Sequence, residues 1–159
     1  MPTPLSEGEF RRYYRNLPHW RARGYPYFVT WRIHKSQPPL SPEERDVVVE
    51  ALCYFNAKRY DLHAYVVMDD HVHLILYPED NFPLEKLCHT WKSFTAHEFV
   101  RHHIRQGNVW QDESFDRILR DEEEYYQKVQ YILNNPWKRW PDLTEYKWVW
   151  AKGMDRPAS

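Results

Sequence analysis

Two strand-like runs, Tyr60–Val67 and His71–Tyr77, are separated only by Met68-Asp69-Asp70. A connection this short joins antiparallel neighbours, because a parallel return needs a crossover of about a dozen residues. This hairpin fixes the middle of the chain. Upstream, Tyr27–His34 (YFVTWRIH) is rich in β-branched and aromatic residues and reads as a first strand, broken by Pro38-Pro39. Ser41-Pro42-Glu43-Glu44 then opens a helix, with Ser41 as N-cap, Pro42 at the first helical position and Glu44 completing a capping box. That helix is expected to run to about Lys58, with Val47, Val48, Ala51, Leu52 and Phe55 as its apolar stripe. Pro83 starts a second helix through Leu87, Trp91, Phe94 and Phe99 to about Arg105, with Gly107 as its stop. Asn108–Leu119 holds a fourth extended piece. Asp121-Glu122-Glu123-Glu124 is a carboxylate-rich helix start that suits the helix dipole. The last helix is expected to end at Asn134-Asn135-Pro136, since a proline interrupts the hydrogen-bond ladder.

The order strand, helix, strand, strand, helix, strand, helix is that of an α+β, ferredoxin-like βαββαβ antiparallel sheet with an additional C-terminal helix. At 159 residues the chain is expected to be one domain, 1–159. A basic, aromatic arm over 10–35 leads into and includes the first strand, and 137–159 forms a Trp- and Lys-rich tail. A mean hydropathy of −0.86 excludes an integral membrane protein. A formal net charge of −1 argues against a globally basic nucleic-acid binder. Charge is concentrated instead: between Arg11 and Lys35 stand seven basic residues and no acidic one, interleaved with Tyr13, Tyr14, Trp20, Tyr25, Tyr27, Phe28 and Trp31. This arm is either a solvated cover over part of the core or a phosphate-contacting segment with stacking rings. The 2 cysteines, Cys53 and Cys88, form no CxxC pair, which excludes a disulfide framework and a thiolate zinc site. With no apolar leader in MPTPLSEGEF, the chain is expected to stay in a reducing cytoplasm.

Three constellations carry chemistry. In His71-Val72-His73, strand alternation points both imidazoles to one face, where they can share a divalent metal or simply be satisfied sheet histidines. On the last helix, Tyr125, Val129, Ile132 and Leu133 form the core stripe. Tyr131 lies outside it, and Asn135 follows one turn on along the same face, with Gln127 and Lys128 flanking a turn earlier. That pair is either a nucleophile beside a metal-capable amide or a surface tyrosine with a capping asparagine. Lys92, Arg117 and Arg120 are candidate phosphate contacts that are individually ordinary surface residues. His102-His103 reads as a solvated helix end, and His63 and His89 as structural.

Taken together, YVVMDDHVHLIL (Tyr65–Leu76), WQDESFDRILRDEEEYY (Trp110–Tyr126) and VQYILNNPWKRW (Val129–Trp140) resemble the single-tyrosine HUH transposases, and in particular the REP-associated tyrosine transposases. FRRYYRNLPHW and YFVTWRIH resemble that branch as well. The HxH segment followed by YI-x-x-NP is a specific combination, and the likeness spans about Phe10 to about Trp150. It implies that His71, His73 and Asn135 are ligands of a divalent metal, Mg²⁺ or Mn²⁺, that Tyr131 is a nucleophile, and that Lys92 is a family basic position. It implies a cytoplasmic, nucleoid-associated enzyme, a monomer or homodimer, that cuts and joins single-stranded or hairpin DNA through a 5′-phosphotyrosine. A domesticated hairpin-binding or hairpin-processing protein would share these residues. An RNA-binding ferredoxin-like module would leave Tyr131 and Asn135 unexplained. Asp69-Asp70 departs from the Pro-Asn or Pro-Asp that such relatives often carry before the histidines, and brings an extra carboxylate towards them.

With a net charge near zero, DNA affinity is expected to rest on local basic patches, chiefly the arm that contributes Arg11, Arg12 and Arg15. Removing that arm should lower the affinity for hairpin DNA and flatten its salt dependence; unchanged binding by the truncated chain would overturn this.

Overall fold

The computed structural model describes residues 24–154. The elements run β1 (Tyr27–Ile33), α1 (Pro42–Tyr54), β2 (Tyr60–Val67), β3 (His71–Pro78), α2 (Leu84–His102), β4 (Trp110–Ile118), α3 (Glu122–Arg139) and β5 (Val149–Ala151). They form one sheet in the order β4-β1-β3-β2-β5, with every neighbouring pair antiparallel. The first four strands have the order expected of a ferredoxin-like sheet, and β5 is an addition at the β2 edge.

Strand alternation divides the interior into two cores. Val29, Trp31, Tyr65, Val67, Val72, Leu74 and Leu76 face α1 and α2. Ala64, Val66 and Ile75 face α3, where they meet Tyr125, Val129, Ile132 and Leu133, the stripe read from the sequence. The first core is rich in tryptophan. Trp31 stacks on Trp91 at 5.7 Å and meets Trp110 edge-on at 6.2 Å. The indole N–H groups of Trp91 and Trp110 donate to Tyr60 Oη (3.3 Å) and Thr95 Oγ1 (2.8 Å), so these two rings are buried with their donors satisfied.

The capping box at α1 forms as expected: Glu44 N–H donates to Ser41 Oγ at 3.2 Å, and Ser41 N–H to Glu44 Oε1 at 2.9 Å. The helix stops at Tyr54 rather than near Lys58. Ala57 takes a left-handed φ of 73°, and Asn56 Oδ1 accepts the Leu62 N–H at 2.8 Å, turning the chain directly into β2. Similarly, α2 ends at His102 rather than at Arg105. Ile104 (φ 57°) makes the break before Gly107 (φ 74°) is reached. This early turn lets Arg105 point inward, where it pairs with Glu44 and donates to the carbonyls of Pro38 (3.0 Å) and Pro39 (2.9 Å).

Pro136 does not end α3. The proline forgoes one N–H bond, but its fixed φ is helical. The Trp140 N–H closes the final turn on the Pro136 carbonyl at 2.8 Å, and Trp137 Nε1 donates to the Leu143 carbonyl at 2.8 Å. The tail then pairs β5 with Ala64–Val66. The basic arm divides at β1: Arg11, Arg12 and Arg15 lie outside the described residues, whereas Tyr27–Ile33 is an internal strand of the sheet. The removable part of the arm therefore ends before β1.

Glu44 and Arg105 are both nearly inaccessible, at 3% and 6% exposure. Arg105→Ala leaves a buried carboxylate without its cation and is expected to cost about 3–5 kcal/mol in urea unfolding. A loss under about 1 kcal/mol would show that water replaces the guanidinium there.

Candidate active site

Pairing between β1 and β3 sets Thr30 opposite His73 and Arg32 opposite His71, and β2 sets Val66 on the other side of His73. Both imidazoles therefore project from the α3 side of the sheet. Their ring centroids lie 4.6 Å apart at 70°. Each ring is held through its Nδ1. The His73 Nδ1 is hydrogen-bonded to Thr30 Oγ1 at 2.7 Å, and the His71 Nδ1–H donates to Asp70 Oδ1 at 2.6 Å. A carboxylate only accepts, so His71 carries a proton on Nδ1. Burial alone would raise the Asp70 carboxyl, but the bonds to His71 and Arg139 outweigh it and hold the group below its ordinary value. Arg139, at the end of α3, donates to Asp70 Oδ1 and Asp69 Oδ2, both at 3.3 Å.

Tyr131 hangs over this pair, its ring 5.3 Å from that of His73 at 64°. It is 40% exposed, one side open to solvent. Phe28 stacks on His73 at 5.2 Å and meets Tyr131 edge-on at 6.2 Å. The Lys128 ammonium sits 4.8 Å from the Phe28 centroid and 5.4 Å from that of Tyr131. Asn135 lies one helical turn beyond Tyr131 and is buried.

The donor set suits a divalent cation of intermediate hardness. His73 Nε2 is buried and has no protein partner. Burial, followed by the neighbouring His71, Arg32 and Lys128, pulls His73 down to about 3, so its imidazole is neutral and able to ligate. Among the described residues no group of three or more His, Cys, Asp or Glu side chains comes together to hold a metal. Asn135 is the buried amide on the tyrosine helix. Contacts such as those of Thr30 and Asp70 to the two Nδ1 atoms are of the kind that fix an imidazole ligand in place.

The other expected site residues are placed differently. Lys92 belongs to α2, on the opposite side of the sheet, and its ammonium donates to the carbonyls of Gln111 (2.9 Å), Asp112 (3.2 Å) and Glu113 (3.2 Å). It ties α2 to β4 and is turned away from the histidines. Arg117 projects from β4 beside Phe28 and is ion-paired with Glu124. The Arg120 main-chain N–H donates to the same carboxylate at 2.8 Å. His63 is structural as expected, held between Tyr125 Oη (2.6 Å) and Asp61 Oδ2 (3.0 Å). Sequence reasoning did not single out Thr30 or Arg139. Thr30 joins the site through strand register, and Arg139 only because α3 continues past Pro136.

Residues 26–135 match the family described as "Transposase IS200 like". The chain is similar to the curated REP-associated tyrosine transposase of Escherichia coli (strain K12), with 25% identity over 156 residues, 92% of this chain and 87% of the relative. Its fold matches the solved structure of a REP-associated tyrosine transposase bound to a REP hairpin, with a TM-score of 0.63 at 21% identity over 79% of this chain and 74% of that one. It also matches a candidate transposase from Deinococcus radiodurans R1, with a TM-score of 0.53 at 24% identity over 74% of this chain and 97% of that one. These likenesses agree with the resemblance read from the motifs.

The unfolded chain takes up a proton on histidine near pH 6.5, whereas folded His73 does so only near 3. Folding stability should therefore fall as pH drops below about 6.5 towards 3, and His73→Gln should remove part of that fall. Chelator-treated protein, followed by NMR of the imidazole resonances, checks this; a His73 signal titrating near pH 6 would overturn it.

Proposed function

The chain belongs to the IS200-like transposase family, and on that premise we propose that it cuts and rejoins single-stranded DNA beside hairpins, with Tyr131 as nucleophile. The observation that carries this reading is the Tyr131 ring, 5.3 Å from a buried neutral imidazole whose Nε2 has no protein partner. Tyrosine and electrophile-binding group stand on different elements, α3 and β3, with an open side between them. A strand of DNA can enter there, and a flexible single strand bends into such a cleft more cheaply than a duplex.

In this reading His71, His73 and Asn135 would hold a divalent cation, Mn²⁺ or Mg²⁺, which would supply positive charge to the scissile phosphate and make its phosphorus a better electrophile. Imidazole and amide donors favour Mn²⁺ at equal concentration. Thr30 and Asp70 hold the two rings at their Nδ1 atoms, and Arg139 holds Asp70. Tyr131 Oη attacks the phosphorus and gives up its proton; the bond to the 3′-oxygen breaks, and that oxygen leaves as a 3′-hydroxyl. The product is a 5′-phosphotyrosine on Tyr131. Lys128, one turn earlier on α3, places positive charge over the attacking ring. Because the phosphotyrosine keeps the energy of the broken ester, attack by a DNA 3′-hydroxyl reverses the step and joins strands. The relative bound to a REP hairpin supports a hairpin beside the cut as the substrate.

Covalent trapping tests the reading. The protein is incubated with Mn²⁺ and a hairpin library carrying randomised single-stranded flanks, then run on a denaturing gel. The expected result is an adduct that maps to Tyr131 and is absent in Tyr131→Phe. A mobility shift without any adduct would assign hairpin binding without cutting and overturn the proposed chemistry.

A further inference from the structure

Among the described residues, α3 covers the face that carries the histidines over β3, β2 and β5 and reaches Phe28 on β1 through Tyr131 and Lys128. The β4 end of that face is the exposed part. Phe115, on β4, is 62% exposed there. An exposed phenylalanine by itself is unremarkable, but this one is aligned with the site. Strand register puts Phe115, Thr30 and His73 in one row across the sheet, and Arg117, Phe28 and Ile75 in the adjacent row. Residues paired across strands point to the same face, so Phe115 stands two strand spacings from His73, roughly 10 Å. Between them Phe28 stacks on His73 and touches Tyr131. Cations surround this aromatic floor. Lys128 lies over Phe28. Exposed Arg32 stands opposite His71 on the neighbouring row, and the side chain of Arg117 is 63% exposed beyond its pairing with Glu124.

Exposed rings flanked by cations, continuous with a phosphate-processing centre, match what an unpaired nucleotide strand requires: π-faces for the bases and positive charge for the backbone. We propose that Phe115 is a stacking platform for an unpaired base of the DNA strand next to the scissile phosphate, with Arg32 and Arg117 meeting the phosphates on either side. This rests on the reading of the chain as a single-strand DNA cleaving enzyme. The platform tolerates any base, because every base presents a π-face, so it contributes grip and direction to the strand rather than sequence choice.

The test uses the full chain and an oligothymidylate of about ten nucleotides, with 5-iodouracil in place of thymine for photo-crosslinking. The crosslink is expected at Phe115. Phe115→Ala should weaken binding roughly tenfold, the loss of one stacked base, and Phe115→Trp should retain it. The exposed position leaves the core of these variants intact, and thermal unfolding checks that directly. Equal affinity of wild type and Phe115→Ala, or a crosslink confined to other residues, overturns the platform. Tighter binding of the matching oligouridylate overturns it in favour of an RNA surface. The Tyr131 adduct separates the two levels: an adduct together with a silent Phe115→Ala removes the platform alone, whereas a Phe115 crosslink without any adduct removes the cleavage reading and leaves a DNA-binding face.

Discussion

A strand at the centre of a sheet with helices on both sides must serve two interiors at once, and β3 does so by strict alternation. Val72, Leu74 and Leu76 enter the tryptophan-rich core under α1 and α2, while His71, His73 and Ile75 turn towards α3. A slip of one residue would put imidazoles among Trp31 and Trp91 and a leucine beneath Tyr131. Burying two imidazoles carries a desolvation cost, offset here by one hydrogen bond at each Nδ1: His73 with Thr30 on the neighbouring strand, and His71 donating to Asp70 in the turn. The Nε2 of His73 is left without a protein partner. Satisfying the fold and aiming the site are thus one arrangement.

The tyrosine helix is fastened at both ends to the strands that bear or flank this arrangement. Near its start, Tyr125 Oη bonds His63 on β2, and at its end Arg139 reaches Asp69 and Asp70 in the hairpin turn. Tyr131 lies between these anchors. The chain beyond the helix adds a third tie: Tyr146 Oη donates to the Val67 carbonyl at 2.7 Å, and β5 pairs with β2. The segment after Pro136 is therefore part of what holds Tyr131 in register with the histidines of its own chain.

Much of this was legible in the sequence because it depends on local chemistry. The capping box at Ser41, the apolar stripe from Tyr125 to Leu133, and the shared face of His71 and His73 each follow from a short-range rule. The early end of α1 came from the local turn at Asn56-Ala57, and two other misreadings arose where a distant contact overrode a local signal. Gly107 is a sound helix stop, yet α2 breaks at Ile104, where Arg105 turns in to Glu44 across the fold. Pro136 is a sound helix terminator, yet tail packing carries α3 through it. Lys92, a candidate phosphate contact, donates to three carbonyls of β4, a pairing its own sequence neighbourhood does not state. Thr30 entered the site only through register, which no single strand's sequence states. The family resemblance pointed to Tyr131 and the histidines; the outer contacts came from the coordinates.

The outermost strand has a consequence of its own. β4 runs nine residues along the sheet boundary, and among the described residues no strand pairs with its outer side. Such a margin is an invitation to polymerise with the strands of other chains. Here Asp112, Glu113, Asp116 and Arg117 place charge along most of its length. Two molecules brought together margin to margin would oppose carboxylates, and the ladder would not form. Charge along β4 thus guards this margin while Phe115 on the same strand stays exposed beside the site.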